Sequence, residues 1–351
     1  MGHMVSAPLP SRDFWSGKRV FITGHTGFKG GWLALWLSKI GAAVHGYALP
    51  PDTDPNFFAL CRIETKLLHR EADVRDAAAL AKAIHDFQPD IVFHLAAQAL
   101  VRTSYAQPLE TYATNIMGTA FLLDAVARTP NVQLAVIVTS DKIYAEGADA
   151  HTEEAPLGGK DPYSASKAGA ELIAASFPAS VKITTLRAGN VIGGGDWSSD
   201  RLVPDFFRAA FAHNVLHIRN PRAIRPWQHV LDALCGYLLA AEHMWHGTVR
   251  RDAWNFGPGA ASEASVEAVI TRLGAFWSGS CYEVSSQADA PHEAPILRLN
   301  AQKAQQELAW RPRWPLEEAL TYTAEWYRAW QGGAAMDAIS LSQIETYCQY
   351  D

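Results

Sequence analysis

Two short segments hold the side chains best suited to chemistry: Ser140-Asp141-Lys142 and, shortly after, Tyr163-Ser-Ala-Ser-Lys167. Residues four apart on a helix share a face, so Tyr163 and Lys167 are expected one turn from each other. An ammonium beside a phenol favours the phenolate, which lets tyrosine take a proton from a sugar or alcohol hydroxyl. A tyrosine ordinarily titrates near ~10, so acting at neutral pH requires about 4 kcal/mol of help from its surroundings. A lysine together with a cationic nicotinamide in a dry pocket is a source of that help. The pair alone also fits a solvated helix face; the acid and amine of Asp141 and Lys142 nearby argue for chemistry.

A cofactor signal stands near the N-terminus. Gly24-His-Thr26-Gly27-Phe28-Lys29-Gly30 follows an apolar run and opens a helical one. The first glycine suits a tight turn, the second a close backbone approach to a pyrophosphate, and the third close helix packing. The next apolar run ends His45-Gly46-Tyr47-Ala48-Leu49. It lacks the acidic ribose anchor of NAD enzymes and also an arginine for a 2′-phosphate. NAD is the expected cofactor, with weaker binding than usual. Lys29 is expected either to meet a phosphate or to be solvated. In Ala72-Asp73-Val74-Arg75, Asp73 either accepts from an adenine amino group or caps the following helix. Leu95-Ala96-Ala97-Gln98 places small side chains where a cofactor lies against backbone.

The elements that must position these residues alternate. Strands are expected at Arg19–Thr23, Ala43–Leu49, Lys66–Arg70, Ile91–Leu95, Leu134–Thr139 and Lys182–Arg187. Helices are expected at Trp32–Ile40, Ala77–Asp86, Pro108–Ala127 and Pro162–Ala175. That rhythm predicts an α/β fold: a doubly wound, Rossmann-type parallel sheet binding ligand at its carboxyl ends. After Arg187 the rhythm breaks, with helices expected at Val230–Met244, Ala301–Leu308 and Leu316–Trp330. Residues 12–190 with about 229–256 are expected to form the cofactor domain. Residues 191–228 with 257–351 are expected to form a smaller, discontinuous C-terminal lobe. The net charge of −6 over 351 residues argues against a nucleic-acid binder. No apolar run approaches the ~18 residues of a membrane span, and the N-terminus lacks a signal-peptide pattern. Residues 1–4 look like an expression scar. Four scattered cysteines suggest reduced thiols in a cytoplasmic protein. No histidine–carboxylate spacing suggests a metal.

With these pieces assembled, the chain resembles the extended short-chain dehydrogenase/reductases of the nucleotide-sugar branch, from Phe14 to about Leu320. The segments carrying the likeness include Gly-His-Thr-Gly-Phe-Lys-Gly, Val101-Arg-Thr-Ser-Tyr, Thr139-Ser-Asp-Lys-Ile-Tyr, Asp161-Pro-Tyr-Ser-Ala-Ser-Lys, Arg187-Ala-Gly-Asn, Gly195-Asp-Trp and Arg225-Pro-Trp-Gln-His-Val. The Ser-Asp-Lys triplet and Arg-Pro-Trp-Gln-His point to 4,6-dehydratases, although Lys142 stands where related enzymes usually carry glutamate. The resemblance implies a CDP-hexose substrate, oxidation at C4, loss of water across C5 and C6, and a product destined for deoxysugars of bacterial surface polysaccharides. By this likeness Tyr163 is the base at the C4 hydroxyl, Lys167 its cationic partner, and Ser140 a hydrogen-bond donor to the C4 oxygen. Asp141 is the acid at C6. Lys142 is the base at C5, or alternatively a cation stabilising the enolate. Arg225 is expected on the diphosphate, with Asn190 and Arg201 on diphosphate and cytosine. Gln98, Arg102 and Tyr105 are expected on the hexose. His292 either replaces a phosphate-binding arginine or is a packed histidine. The helices around 108–127 and 162–175 are expected to form a homodimer or homotetramer face. The rival activities are a nucleotide-sugar 4-epimerase and a non-catalytic dinucleotide sensor.

Overall fold

The computed structural model describes residues 7–147, 150–259, 262–277, 279–284 and 298–349. Its centre is a sheet of seven strands: β1 (Arg19–Thr23), β2 (Ala43–Ala48), β3 (Leu68–Glu71), β4 (Ile91–His94), β5 (Leu134–Val138), β6 (Lys182–Ala188) and β7 (Arg251–Phe256). Their order is β7-β6-β5-β4-β1-β2-β3, and every neighbouring pair is parallel. The sequence order reverses between β1 and β4, so the ends of these strands border the crevice that such sheets use for ligands.

Helices cover both faces, as a parallel sheet with two apolar sides requires. The principal ones are α1 (Phe28–Lys39), α2 (Ala77–Phe87), α3 (Gly118–Ala127), α4 (Pro162–Ser176), α5 (Val230–His246), α6 (Leu316–Gln331) and α7 (Met336–Gln349). One buried cluster lies on the side of α2 and α3 and includes Phe21, Val92, Leu122 and Ile137. The other runs from Trp32 and Trp36 of α1 through the buried length of α5 to Trp326 and Tyr347. Six expected strands are present within one or two residues of their expected limits. Among the central strands and the principal helices, β7 and α7 were not anticipated. The expected helix over 108–127 is present, with a π turn at Ala113–Met117 inserted between Pro108–Tyr112 and α3.

The segments after β6 pair among themselves. Val191–Ile192 pairs with Gln228–His229, Ile224–Pro226 with Glu263–Ser265, and Val215–Ile218 with Cys281–Val284. They build up beyond the carboxyl end of β6, where they can cover the crevice.

Candidate active site

The loop from β1 into α1 is shaped by contacts that exclude side chains. Gly24 has φ +78°, and a Cβ there would lie 2.6 Å from the Ala96 nitrogen; one at Gly30 would lie 2.1 Å from the Gly24 oxygen. Thr26 ties the loop to β2 by donating to the Leu49 carbonyl at 2.9 Å. Gly27, at the N-cap of α1, provides no capping side chain. The first N–H groups of this twelve-residue helix are therefore free for an anionic ligand, which fits a dinucleotide pyrophosphate. Phe28 packs toward Gly193. After β4, Leu95 and Ala96 pack onto the core and Ala97 stays half-buried, so ligand would meet backbone there. The end of β2 is filled instead by His25, which packs against Gly46 and bonds His69 at 2.7 Å.

Asp73 does not cap a helix. Its carboxylate takes the Arg75 backbone N–H at 2.8 Å and the Arg75 guanidinium, which holds it below the usual carboxylate range. Asp76 caps α2 by accepting from Ala79 N at 3.0 Å. The Val74 side chain is buried in the core, so only its backbone faces outward.

The chemistry-bearing residues gather where β5 ends and α4 begins. Asp161 caps α4 through Ser164 N at 2.9 Å, and Ser104 Oγ accepts from Tyr163 N at 3.1 Å. Asp141–Ile143 forms a single tight turn, opened by Ser140 Oγ accepting from Lys142 N at 3.2 Å. Ser140 Oγ also donates to Asp141 Oδ1 at 3.0 Å. Asp141 is 2% exposed, its Oδ2 has no hydrogen-bond partner among the described residues, and a Cβ on Gly189 would come within 1.9 Å of that oxygen. Tyr163 is 8% exposed. Burial raises its phenol above the ordinary value, and the hydrogen bond with Ser140 opposes this. Lys167 Nζ donates to the Val138 carbonyl at 3.0 Å. Burial lowers it to about 8, with Lys29 lowering it further and Glu171 opposing.

Two expectations gain detail. The Lys167 amine is held by a strand-end carbonyl, and the groups that oppose the rise of the Tyr163 phenol are Ser140 and Arg201. Lys29 is half-buried: burial lowers it to about 8, Arg201 adds to that, and Asp141 and Asp196 oppose it. Tyr163, Asp141, Lys29 and Arg201 thus share one electrostatic neighbourhood. The Lys142 side chain is half-buried and, among the described residues, its amine has no hydrogen-bond or ion-pair partner.

Other expected residues are placed less directly. Arg201 pairs with Asp196 at 2.9 Å, and Arg102 lies 3.6 Å from Asp200. Arg225 is buried, with Nη1 donating to the Ile224 carbonyl at 2.9 Å. Asn190 adopts φ +48° directly before the short strand at Val191. Tyr105 is exposed. Gln98 departs from the expected hexose role. Its side-chain amide donates to Leu100 O and Thr111 Oγ1 at 3.0 Å and accepts from Leu100 N at 2.6 Å, so it braces its own loop. His292 lies outside the described residues.

Sequence reasoning missed several polar residues around this site. Asn115, aimed by the π turn, bonds Gln98 backbone N and O and donates to Ser166 Oγ at 2.8 Å. Glu171 and Arg187 form a buried ion pair at 2.8 Å. The available signal was a glutamate four residues after Lys167, on the same helix face. Among the described residues no His, Cys, Asp or Glu cluster is arranged to hold a metal, and no helix is long and apolar enough to cross a membrane.

Comparisons with known proteins extend this picture. The chain is 44% identical to a CDP-glucose 4,6-dehydratase of Salmonella typhimurium, over 96% of this chain and 98% of the relative. A dTDP-glucose 4,6-dehydratase of Streptomyces griseus is 27% identical, over 89% of this chain and 95% of the relative. The solved dTDP-glucose 4,6-dehydratase of Streptomyces venezuelae, with NAD bound, superposes with a TM-score of 0.79 at 24% identity, covering 90% of this chain and 98% of that one. Its fold is shared. The family model described as GDP-mannose 4,6 dehydratase matches residues 21–323. The chain belongs to that family.

Proposed function

We propose that this chain is an NAD-dependent lyase that converts CDP-glucose to CDP-4-keto-6-deoxyglucose. The observation that carries the reading is the buried Asp141 beside Tyr163. A phenol and a lysine suffice to oxidise C4, as an epimerase also must, whereas a sequestered acid in the same neighbourhood serves the loss of water. The near-full-length likeness to the Salmonella typhimurium enzyme supports CDP-glucose over other hexoses.

NAD, held by the Gly24–Gly30 loop, Asp73 and the backbone at 95–97, supplies an acceptor for hydride from C4 and its later return to C6. Tyr163 takes the C4 hydroxyl proton while Ser140 hydrogen-bonds that oxygen. Lys167 supports the phenolate and reaches the nicotinamide ribose. The resulting ketone acidifies the C5 hydrogen. Lys142 removes that proton, and Asp141 protonates the departing C6 hydroxyl. Arg225 and Arg201 supply guanidinium donors for the diphosphate, which they match better than ammonium does. Asn190 helps to seat the cytosine end. Arg102 and Tyr105 line the hexose side.

Residues 191–228 and 257–351 act as the sugar-nucleotide lobe, in keeping with the strand pairings among them. Leu109, Met117 and Leu172 are exposed on the 108–127 and α4 helices, which suits a homodimer face. A solution mass of one 38.4 kDa chain would contradict that assembly. Four free thiols suit a cytoplasmic setting. The activity is tested by incubation with CDP-, dTDP-, UDP- and GDP-hexoses plus NAD, following 4-ketosugar absorbance. CDP-glucose is expected to give the signal. An inverted hexose that keeps its C6 oxygen would establish an epimerase instead.

A further inference from the structure

A second constellation stands one helical turn beyond Lys167. Glu171 is 3% exposed on α4. Its Oε1 accepts from Thr139 Oγ1 and from Arg187 Nε at 3.0 Å; its Oε2 accepts from Thr185 Oγ1 at 2.6 Å and Arg187 Nη2 at 2.8 Å. Four donors saturate this carboxylate. Arg187 Nη1 continues outward, donating to the Tyr144 hydroxyl at 2.7 Å and to the Glu153 carbonyl at 3.0 Å. The Tyr144 hydroxyl in turn donates to Asn255 Oδ1 at 2.6 Å.

The attachment points have one feature in common. Thr139 immediately precedes Ser140, and Tyr144 immediately follows the Asp141–Ile143 turn. The network therefore holds the turn at entry and exit, while its hub rides on the helix that carries Tyr163 and Lys167. Apolar side chains of similar volume often stabilise a core as well as a buried ion pair does. Fixed relative geometry is what a saturated polar network adds.

We infer that Glu171 is a positioning residue for the proposed reaction: it locks the Ser140–Lys142 turn in register with Tyr163 and holds its carboxylate one helical turn from Lys167. The inference rests on the proposed roles of Tyr163 and Lys167. The groups acting on Lys167 are Lys29 from α1 and Glu171 from its own helix; His94 at the end of β4 feels its charge, and Arg187 of β6 stands behind Glu171. Burial lowers His94 to about 3, so it stays neutral in the working range. Lys29, also near 8, titrates alongside Lys167. Glu171 is the carboxylate that opposes the lowering of Lys167. Neutralising it makes Lys167 lose its proton at lower pH.

The test compares Glu171→Gln, Thr139→Val and the charge-balanced Glu171→Gln/Arg187→Met. In Glu171→Gln, kcat is expected to fall about tenfold or more with KM within about threefold, and the alkaline limb of the kcat–pH profile to move down by about one pH unit. Thr139→Val, which leaves the ion pair intact, is expected to lose less kcat and keep its alkaline limb in place. A second readout needs no turnover. NMR titration of 13Cε-lysine protein, with Lys167 and Lys29 signals assigned from Lys167→Met and Lys29→Met, is expected to show the Lys167 midpoint lowered in Glu171→Gln. If that variant does not fold, the double variant takes its place in both measurements. An unmoved Lys167 midpoint, or an unmoved alkaline limb accompanying the loss of kcat, overturns the inference. Absence of turnover by the wild-type chain on any nucleotide sugar would instead refute the proposed function, with the NMR titration still deciding the Lys167 part.

Discussion

At the scale of single residues, the site is built from groups held against their preferred state. Lys167 is 7% exposed and lowered from 10.5 to about 8 by burial. At pH 7 the folded protein holds this ammonium at a cost of about 3 kcal/mol, offset by about 1 from the bond to Val138 O. Between pH ~8 and ~10.5 the unfolded chain binds the extra proton, so the cost is complete below 8 and disappears as pH rises toward 10.5. Lys167→Met is therefore expected to abolish turnover yet stabilise the fold by about 2 kcal/mol at pH 7, with the gain vanishing near pH 10. Thermal melts of both proteins across that range check it; a destabilised variant at pH 7 would show that Lys167 is a structural cation. The Tyr-x-x-x-Lys pair was legible from spacing alone. The direction of the Tyr163 shift was not, because burial depends on elements far away in the chain.

At the scale of elements, the carboxylate proposed as the C6 acid lies against a glycine just past another strand. Gly189 follows β6 and lies against Asp141 Oδ2, so an added Cβ at 1.9 Å must displace the carboxylate. Misplacement of a reacting group by ~1 Å costs on the order of 100-fold in rate. Gly189→Ala is expected to lose about that much kcat while binding NAD like the wild type, because the Gly24–Gly30 loop lies elsewhere. Isothermal titration and steady-state kinetics separate the two, and equal loss of both would point to general unfolding. Most of the six strands, and the glycine loop, were legible because a buried strand is a short apolar run bounded by turn residues; β3 is the exception, with Leu68, His69 and Glu71 exposed. β7 was not: in Arg251–Phe256 only Trp254, Asn255 and Phe256 are buried, at one edge of the sheet. The helix over 108–127 was legible, but its π turn was not, because tertiary bonds to Gln98 and Ser166 hold Asn115 there.

At the scale of the whole molecule, the C-terminal helix closes the core. α7 was invisible in the sequence because its buried face mixes Asp337, Ser340 and Gln343 with few apolar residues. Those few are deeply placed: Met336, Ile344 and Tyr347 are buried, Tyr347 packs on Trp36 with centroids 5.6 Å apart, and its hydroxyl bonds Asp232 at 2.9 Å. Burial of three such side chains contributes about 5–9 kcal/mol, comparable with the ~5–15 kcal/mol stability of a typical domain. A chain ending at Gly333 is expected to lack a cooperative melt and to bind a hydrophobic dye; a transition within a few degrees of the full chain would contradict this. α6 continues this packing toward the segments after β6: Trp326 lies against Gly194 and Gly195, and the Tyr327 hydroxyl donates to the Asp196 carbonyl. The central claim is that oxidation, loss of water and reduction occur around one hexose within a single site. CDP-glucose deuterated at C4, incubated with the protein and NAD, tests it most directly. The account predicts a product lighter by one water, with the deuterium carried into the new C6 methyl group. Deuterium retained at C4 of an inverted hexose with its C6 hydroxyl intact would contradict it.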